Sequence, residues 1–221
     1  YFAGHSLGEY SALVCSGSLD FLDALYLLHE RGKSMQEAVP KGSGSMLAVM
    51  GIKTDELESI ISQLDKNLGV CEIANDNSEN KIILSGHVNS INEISKVLKN
   101  MKKRSILLPV SAPFHCSLMK PAAKKMEKKI NSTIFKNPKI NLIANVTAQE
   151  ISDPDQIKNL LVQQIVSKVR WRESILYMID NGIKEFIEIG PGKVLSGLVK
   201  RINDKVLTKS INTIDDIKSL K

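Results

Sequence analysis

The chain has 221 residues, 43% apolar and 24% charged, with a formal net charge of +6 from 30 Lys and Arg against 24 Asp and Glu. That apolar share excludes a disordered or fibrous chain, and no apolar run approaches the ~20 residues that span a bilayer, so a soluble domain with no membrane partner is expected. Aromatics are only 5% and the lysines are scattered, so the basic balance suits an acidic protein or a phosphorylated small molecule rather than nucleic acid.

The first pattern is Gly4-His5-Ser6-Leu7-Gly8, a G-x-S-x-G that needs a strand before it and a helix after it. The helix is predicted over residues 9–15, with Gly17 as its stop; the strand is only Tyr1-Phe2-Ala3. With no initial methionine and no signal-peptide pattern, an N-terminally incomplete chain is expected. Asp20 is predicted to cap a second helix, supported by Asp23, whose buried stripe is Phe21, Leu25, Leu28 and Met35. Arg31 shares that stripe. Pro40 and Gly42-Ser43-Gly44 end the segment.

Strands are predicted over 46–50, 70–74, 81–84 and 105–108, with helices over 54–64, capped by Thr54, and 88–100. That βαββαβ order is the ferredoxin-like pattern, and glycine- and proline-marked loops bound it as an insert over 42–108. A loop with two prolines, residues 109–116, leads to a lysine-rich helix over 118–131. A strand over 140–144, helices over 154–166 and 171–181, a strand over 184–189, the Gly190-Pro191-Gly192 turn and a helix over 193–202 complete the pattern. Strands alternating with helices predict an α/β core with a mostly parallel sheet, built from residues 1–41 and 109–221.

Ser6 is the candidate nucleophile, because an elbow exposes its hydroxyl at a helix N-terminus, where the Leu7 N–H can help bind an oxyanion. The plainer alternative is an inert serine in a glycine-bounded turn. Only His5, His29, His87 and His115 could serve as its base. His5 is expected to point away, His29 to sit on a solvated face and His87 in a turn. His115, in the proline-bracketed loop, is the best candidate. An α/β-hydrolase places its histidine late in the chain, and more than 100 residues follow this one. Arg31, an arginine on an apolar stripe, must snorkel or find an anion, and its fork suits a carboxylate. Cys15, Cys71 and Cys116 are odd in number and widely spaced, which predicts small core residues or free thiols, no zinc site, no disulfide framework and a reducing compartment. Gly190-Pro191-Gly192-Lys193 lacks P-loop spacing. Lys124, Lys125, Lys128 and Lys129 read as a solvated helix face that an acidic partner could use.

Four stretches in register, GHSLGEYSALVCSGSLDF, HERGKSMQEAVP, LPVSAPFHCSLM and VRW followed by EIGPGKVLSGLVKRI, resemble the malonyl-CoA:acyl carrier protein transacylases of bacterial fatty-acid synthesis, from Tyr1 to about Ile202. The resemblance implies a hydrolase-like α/β core with a ferredoxin-like insert. It implies Ser6 as the acyl-accepting nucleophile, His115 as its base and Arg31 as the group holding the malonyl carboxylate. By the same likeness the Gln164 carbonyl orients the histidine, Leu7 gives one oxyanion-hole N–H, and Phe114 is the bulky ring that excludes an α-methyl branch. The family's glycine/glutamine-rich first loop, which supplies the other oxyanion donor, has no counterpart here. Malonyl-CoA and acyl carrier protein are the implied partners, with no metal or redox cofactor, in the cytoplasm or an organelle. The rival readings are a polyketide-pathway acyltransferase, a serine thioesterase or esterase, and a carrier-binding module without turnover. Arg31 separates the hydrolases, since neutral acyl chains have no use for a buried cation.

Overall fold

In the computed structural model, which describes residues 1–219, the short strand β1 (Phe2–Ala3) runs into helix α1 (Leu7–Cys15), followed by α2 (Phe21–Gln36). The Asp20 carboxylate caps α2 by accepting the N–H of Leu22. Next come β2 (Gly44–Met50), α3 (Thr54–Ser62), β3 (Cys71–Ser78), β4 (Lys81–His87), α4 (Val88–Asn100) and β5 (Arg104–Leu107). The chain continues through α5 (Lys120–Ser132), β6 (Leu142–Ile143), β7 (Glu150–Ile151), α6 (Pro154–Gln164) and α7 (Trp171–Asp180). It closes with β8 (Glu185–Ile189), α8 (Val194–Ile202), β9 (Leu207–Ile211) and α9 (Ile214–Lys218). No helix among the described residues is long and apolar enough to cross a membrane.

Strands β2 to β5 form an antiparallel sheet in the order β3-β4-β2-β5. Side chains alternate across it, so Leu47, Val49, Ile73, Ile82 and Leu84 pack on Leu57 of α3 and on Ile91, Ile94 and Leu98 of α4. The other face, Met46, Ala48, Ala74 and Ile83, meets Leu108 and Phe114. Both faces are covered at the centre of the sheet, where residues 46–50 of β2 and 82–84 of β4 run apolar without a break.

A single mostly parallel sheet is not what forms around this unit. Among the described residues, β1 pairs parallel with β6, β6 antiparallel with β7, and β8 parallel with β9, in two separate pieces. The expected strand over 140–144 shrinks to two residues because Ala144 donates to the Gln149 carbonyl and Asn145 turns its side chain to the serine elbow. The β9 strand was not anticipated.

Three local expectations are corrected. Phe21 and Leu25 are exposed, and the buried face of α2 is Ala24, Leu27, Arg31, Ser34 and Met35. Its small residues let α2 pack against α1 and α5. Lys53, not Thr54, occupies the N-cap of α3, and its side chain makes no cap bond. Strand β3 runs on through Ser78 because its polar end finds partners: Asp76 accepts a fork of bonds from Arg172, and Asn77 meets His5.

That fork, with Arg172 Nε at 3.0 Å and a terminal nitrogen at 2.8 Å from the carboxylate, ties the antiparallel sheet to α7. The Glu72 carboxylate accepts from both the N–H and the hydroxyl of Ser117, at 2.8 and 2.6 Å. Val169 adds main-chain bonds to Ala74 and Asp76. At the hinge, a Cβ on Gly44 would lie 2.3 Å from the Pro113 ring, so only glycine fits there. Lys125 and Lys129 of α5 pair with Glu37 and Glu30, so two of the four lysines expected on a solvated helix face are already partnered.

Candidate active site

Ser6 occupies the turn between β1 and α1 with φ 52° and ψ −106°. A non-glycine residue held there stores about 1–3 kcal/mol of strain. The turn closes so tightly that a Cβ on Gly4 would sit 1.9 Å from the Gly8 carbonyl oxygen, whereas one on Gly8 meets nothing within 4 Å. Asn145 braces it: Oδ1 accepts the Ser6 N–H at 2.7 Å, and Nδ2 donates to the Gly4 carbonyl at 2.7 Å. Leu7 opens the helix, so its N–H lies among those with no intrahelical acceptor.

His115 stands with Nε2 2.7 Å from the Ser6 hydroxyl and Nδ1 2.8 Å from the Gln164 carbonyl. A carbonyl only accepts, so Nδ1 carries the proton and the Nε2 lone pair faces the hydroxyl. Burial, then the nearby Arg31 charge, push the ring's pKa down to about 3, which keeps it neutral and able to act as a base. The residue is itself held at φ 59° in the loop that follows Pro113.

Arg31 projects from α2 and is only 6% exposed. One terminal nitrogen donates to the Ser6 hydroxyl at 3.0 Å and to Gln164 Oε1 at 2.9 Å. Its guanidinium carbon lies 5.9 Å from the Tyr10 ring centroid, and its Nε is buried with no partner. An unmet buried N–H on a cation is an invitation to an anion.

Gln164, at the end of α6, joins these parts. Its main-chain oxygen takes the His115 bond, and Oε1 takes Arg31. Its Nε2 donates to the Ser6 carbonyl at 3.0 Å and to Glu9 Oε2 at 2.8 Å. Glu9 is 2% exposed, and burial pushes its carboxyl pKa up to about 7.

The structure thus brings Ser6, Leu7, Arg31, His115 and Gln164 together. Phe114 is different: its half-buried ring packs on the two apolar clusters that flank the loop. The other histidines are engaged elsewhere or exposed. His5 bonds Asn77 and packs near Trp171, His29 is exposed, and His87 closes β4, where its Nδ1 accepts the Val70 N–H. Sequence reasoning missed Asn145 and Glu9. An acid in the first turn of a helix is ordinary, so nothing in the spacing marks Glu9 as buried. Among the described residues no cluster of three or more His, Cys, Asp and Glu is placed to hold a metal ion, and all three cysteines are free.

Chemically, the arrangement is a half-buried hydroxyl on a strained turn beside a neutral base, with helix N–H groups for an oxyanion and a buried cation within reach of the same oxygen. Comparison with known proteins fits that chemistry. The family model described as an acyl transferase domain matches residues 1–217. The chain is 42% identical over 218 residues to a malonyl CoA-acyl carrier protein transacylase of Bacillus subtilis, covering 98% of this chain and 69% of that relative. The solved acyl-carrier-protein S-malonyltransferase of Bartonella henselae superposes with a TM-score of 0.95 at 42% identity, covering 99% of this chain and 69% of that one. A malonyl-transacylase solved with a type II polyketide synthase acyl-carrier protein gives 0.94 at 35% identity, over 98% of this chain and 70% of its own. The chain belongs to the acyl transferase family, within its malonyl CoA-acyl carrier protein transacylase group.

Proposed function

We propose that this chain moves a malonyl group from malonyl-CoA to the phosphopantetheine thiol of an acyl carrier protein, through an ester on Ser6, supplying fatty-acid synthesis. The observation that carries it is the buried Arg31, with an unpartnered Nε, 3.0 Å from the serine hydroxyl. A substrate with an acyl carbon to offer Ser6 and a free carboxylate to offer Arg31 satisfies both.

Ser6 Oγ attacks the thioester carbon as its proton passes to His115 Nε2, and the Leu7 N–H helps hold the oxyanion. The C–S bond breaks, and the CoA sulfur takes the proton from His115. The malonyl ester stays while Arg31 grips its carboxylate. The carrier thiol then gives its proton to His115 and attacks the ester carbon, and Ser6 leaves with that proton. Every bond made and broken is accounted for without a metal or redox cofactor. Gln164 orients the histidine, and we assign Phe114 to shaping the acyl pocket through the loop it anchors. We further read the core as hydrolase-like and residues 42–108 as a ferredoxin-like subdomain, supported by the β3-β4-β2-β5 order. Three unpaired thiols suit a cytoplasmic enzyme.

Transfer is tested by mixing the full-length protein with malonyl-CoA and a carrier protein, with and without its phosphopantetheine arm, and weighing the products. Malonyl-carrier only with the arm present is the expected result. Release of free malonate and CoA with no carrier adduct would instead mean a hydrolase.

A further inference from the structure

One carboxylate at the centre of the site takes no part in the transfer. Glu9 lies three residues past Ser6 on α1, faces inward and forms no ion pair among the described residues. Burying a carboxylate without a direct cation is costly, so its hydrogen bonds must matter. They come from Gln164 Nε2 at 2.8 Å and the Asn145 N–H at 3.2 Å, both to Oε2.

Both donors converge on Oε2, which only accepts, whether the group is ionised or carries its proton on Oε1. It therefore dictates which way round the Gln164 carboxamide sits: the NH2 end toward Glu9 and the Ser6 carbonyl, the oxygen toward Arg31. Turned over, the amide would set oxygen against carboxylate and NH2 against guanidinium, losing both contacts. We propose that Glu9 is a positioning residue for acid recognition: it fixes the Gln164 side chain so that Oε1 holds Arg31 beside Ser6. This rests on the reading of Arg31 as the carboxylate-binding group.

Gln164 has two jobs that can be separated. Its main-chain oxygen serves His115 and hence every acyl donor, while its side-chain oxygen serves Arg31 and hence donors with a free carboxylate. Of Gln164, Glu9 touches only the side chain; its other bond comes from the Asn145 main-chain N–H, while the Asn145 side chain holds the elbow by separate bonds. A Glu9 change is therefore expected to weaken acylation by malonyl-CoA far more than any acylation by acetyl-CoA, whereas a merely structural role weakens both alike.

The experiment follows Ser6 acylation by each donor, by intact mass against time, in the full-length protein and in Glu9→Ala, Glu9→Gln, Gln164→Ala and the double alanine variant. The preference for malonyl falls roughly tenfold in each alanine variant and no further in the double. Glu9→Gln keeps most of it, because its amide oxygen still accepts from Gln164. Equal losses for both donors, or additive losses in the double variant, would overturn the proposal. Should Glu9→Ala not fold, the near-isosteric Glu9→Met removes the acceptor while keeping the bulk; it must lose the preference to the same extent as Gln164→Ala, or the proposal fails. Absence of any Ser6-dependent malonyl adduct on the parent protein sinks the transacylase reading, while an adduct with unchanged preference in Glu9→Ala sinks only the role of Glu9.

Discussion

The two glycines of G-x-S-x-G look equivalent in sequence and are not. Gly4 is pressed against the Gly8 carbonyl, so Gly4→Ala must push the elbow apart, at a cost of about 3 kcal/mol and with loss of acylation. Gly8 faces open space inside a helix, so Gly8→Ala is expected to stabilise by roughly 0.5–1 kcal/mol. Urea unfolding of both variants checks the pair; equal effects would contradict the geometry. A second consequence concerns His115, whose ring stays neutral because burial and Arg31 disfavour its cation. Nitrogen NMR of the ring should show Nδ1 protonated and no titration between about pH 8 and pH 5. Ser6 and His115 were legible because strained turns and rigid loops leave punctuation in the sequence. Glu9 was not, because first-turn acids are common and only the fold reveals which one is turned inward.

Elements were easier to find than their faces. Helix α4 runs over the span the sequence predicts, yet on α2 the apolar residues are spread so widely that periodicity selected Phe21 and Leu25, which face solvent. Arg31 lies three residues past Leu28 and four before Met35, and that spacing still puts it on the buried side, beside Leu27. Strand β3 was cut short at its polar end for want of a visible partner, and that partner, Arg172, is distant in sequence. The Asp76 side chain is only 1% exposed, so Arg172→Ala strands a buried charge and should cost about 3 kcal/mol. Arg172→Ala combined with Asp76→Asn should recover part of that loss, as thermal unfolding of the single and double variants will show; additive losses would mean that the two side chains do not act as a pair.

Across the molecule, the buried titratable groups of the site set how stability follows pH. The Glu9 carboxyl is raised in the fold to about 7 from an ordinary 4.5, so its neutral form is favoured. Stability linked to it is fully present below the ordinary value and is lost as pH rises through about 7. Relative to Glu9→Gln, the parent protein should lose on the order of 2–3 kcal/mol between about pH 5 and pH 8.5. His115 and His5 act in the other direction, since burial lowers both, so stability falls as acid takes pH below the ordinary histidine value of 6.5. Denaturant unfolding across pH should therefore give a maximum between these limbs, and Glu9→Gln should flatten the alkaline one. The element order from β2 to β5 is the one the sequence predicts, while the splitting of the parallel strands depends on pairings between residues far apart in the chain.

The central claim is that Ser6 is the acyl acceptor and Arg31 the group that selects an acid. Intact-mass spectrometry of the full-length protein mixed with malonyl-CoA or acetyl-CoA, beside Ser6→Ala and Arg31→Ala, tests both at once. The account predicts a malonyl adduct absent in Ser6→Ala, and a malonyl-over-acetyl preference reduced roughly 10- to 100-fold in Arg31→Ala. An adduct that survives Ser6→Ala, or a preference untouched by Arg31→Ala, would contradict it.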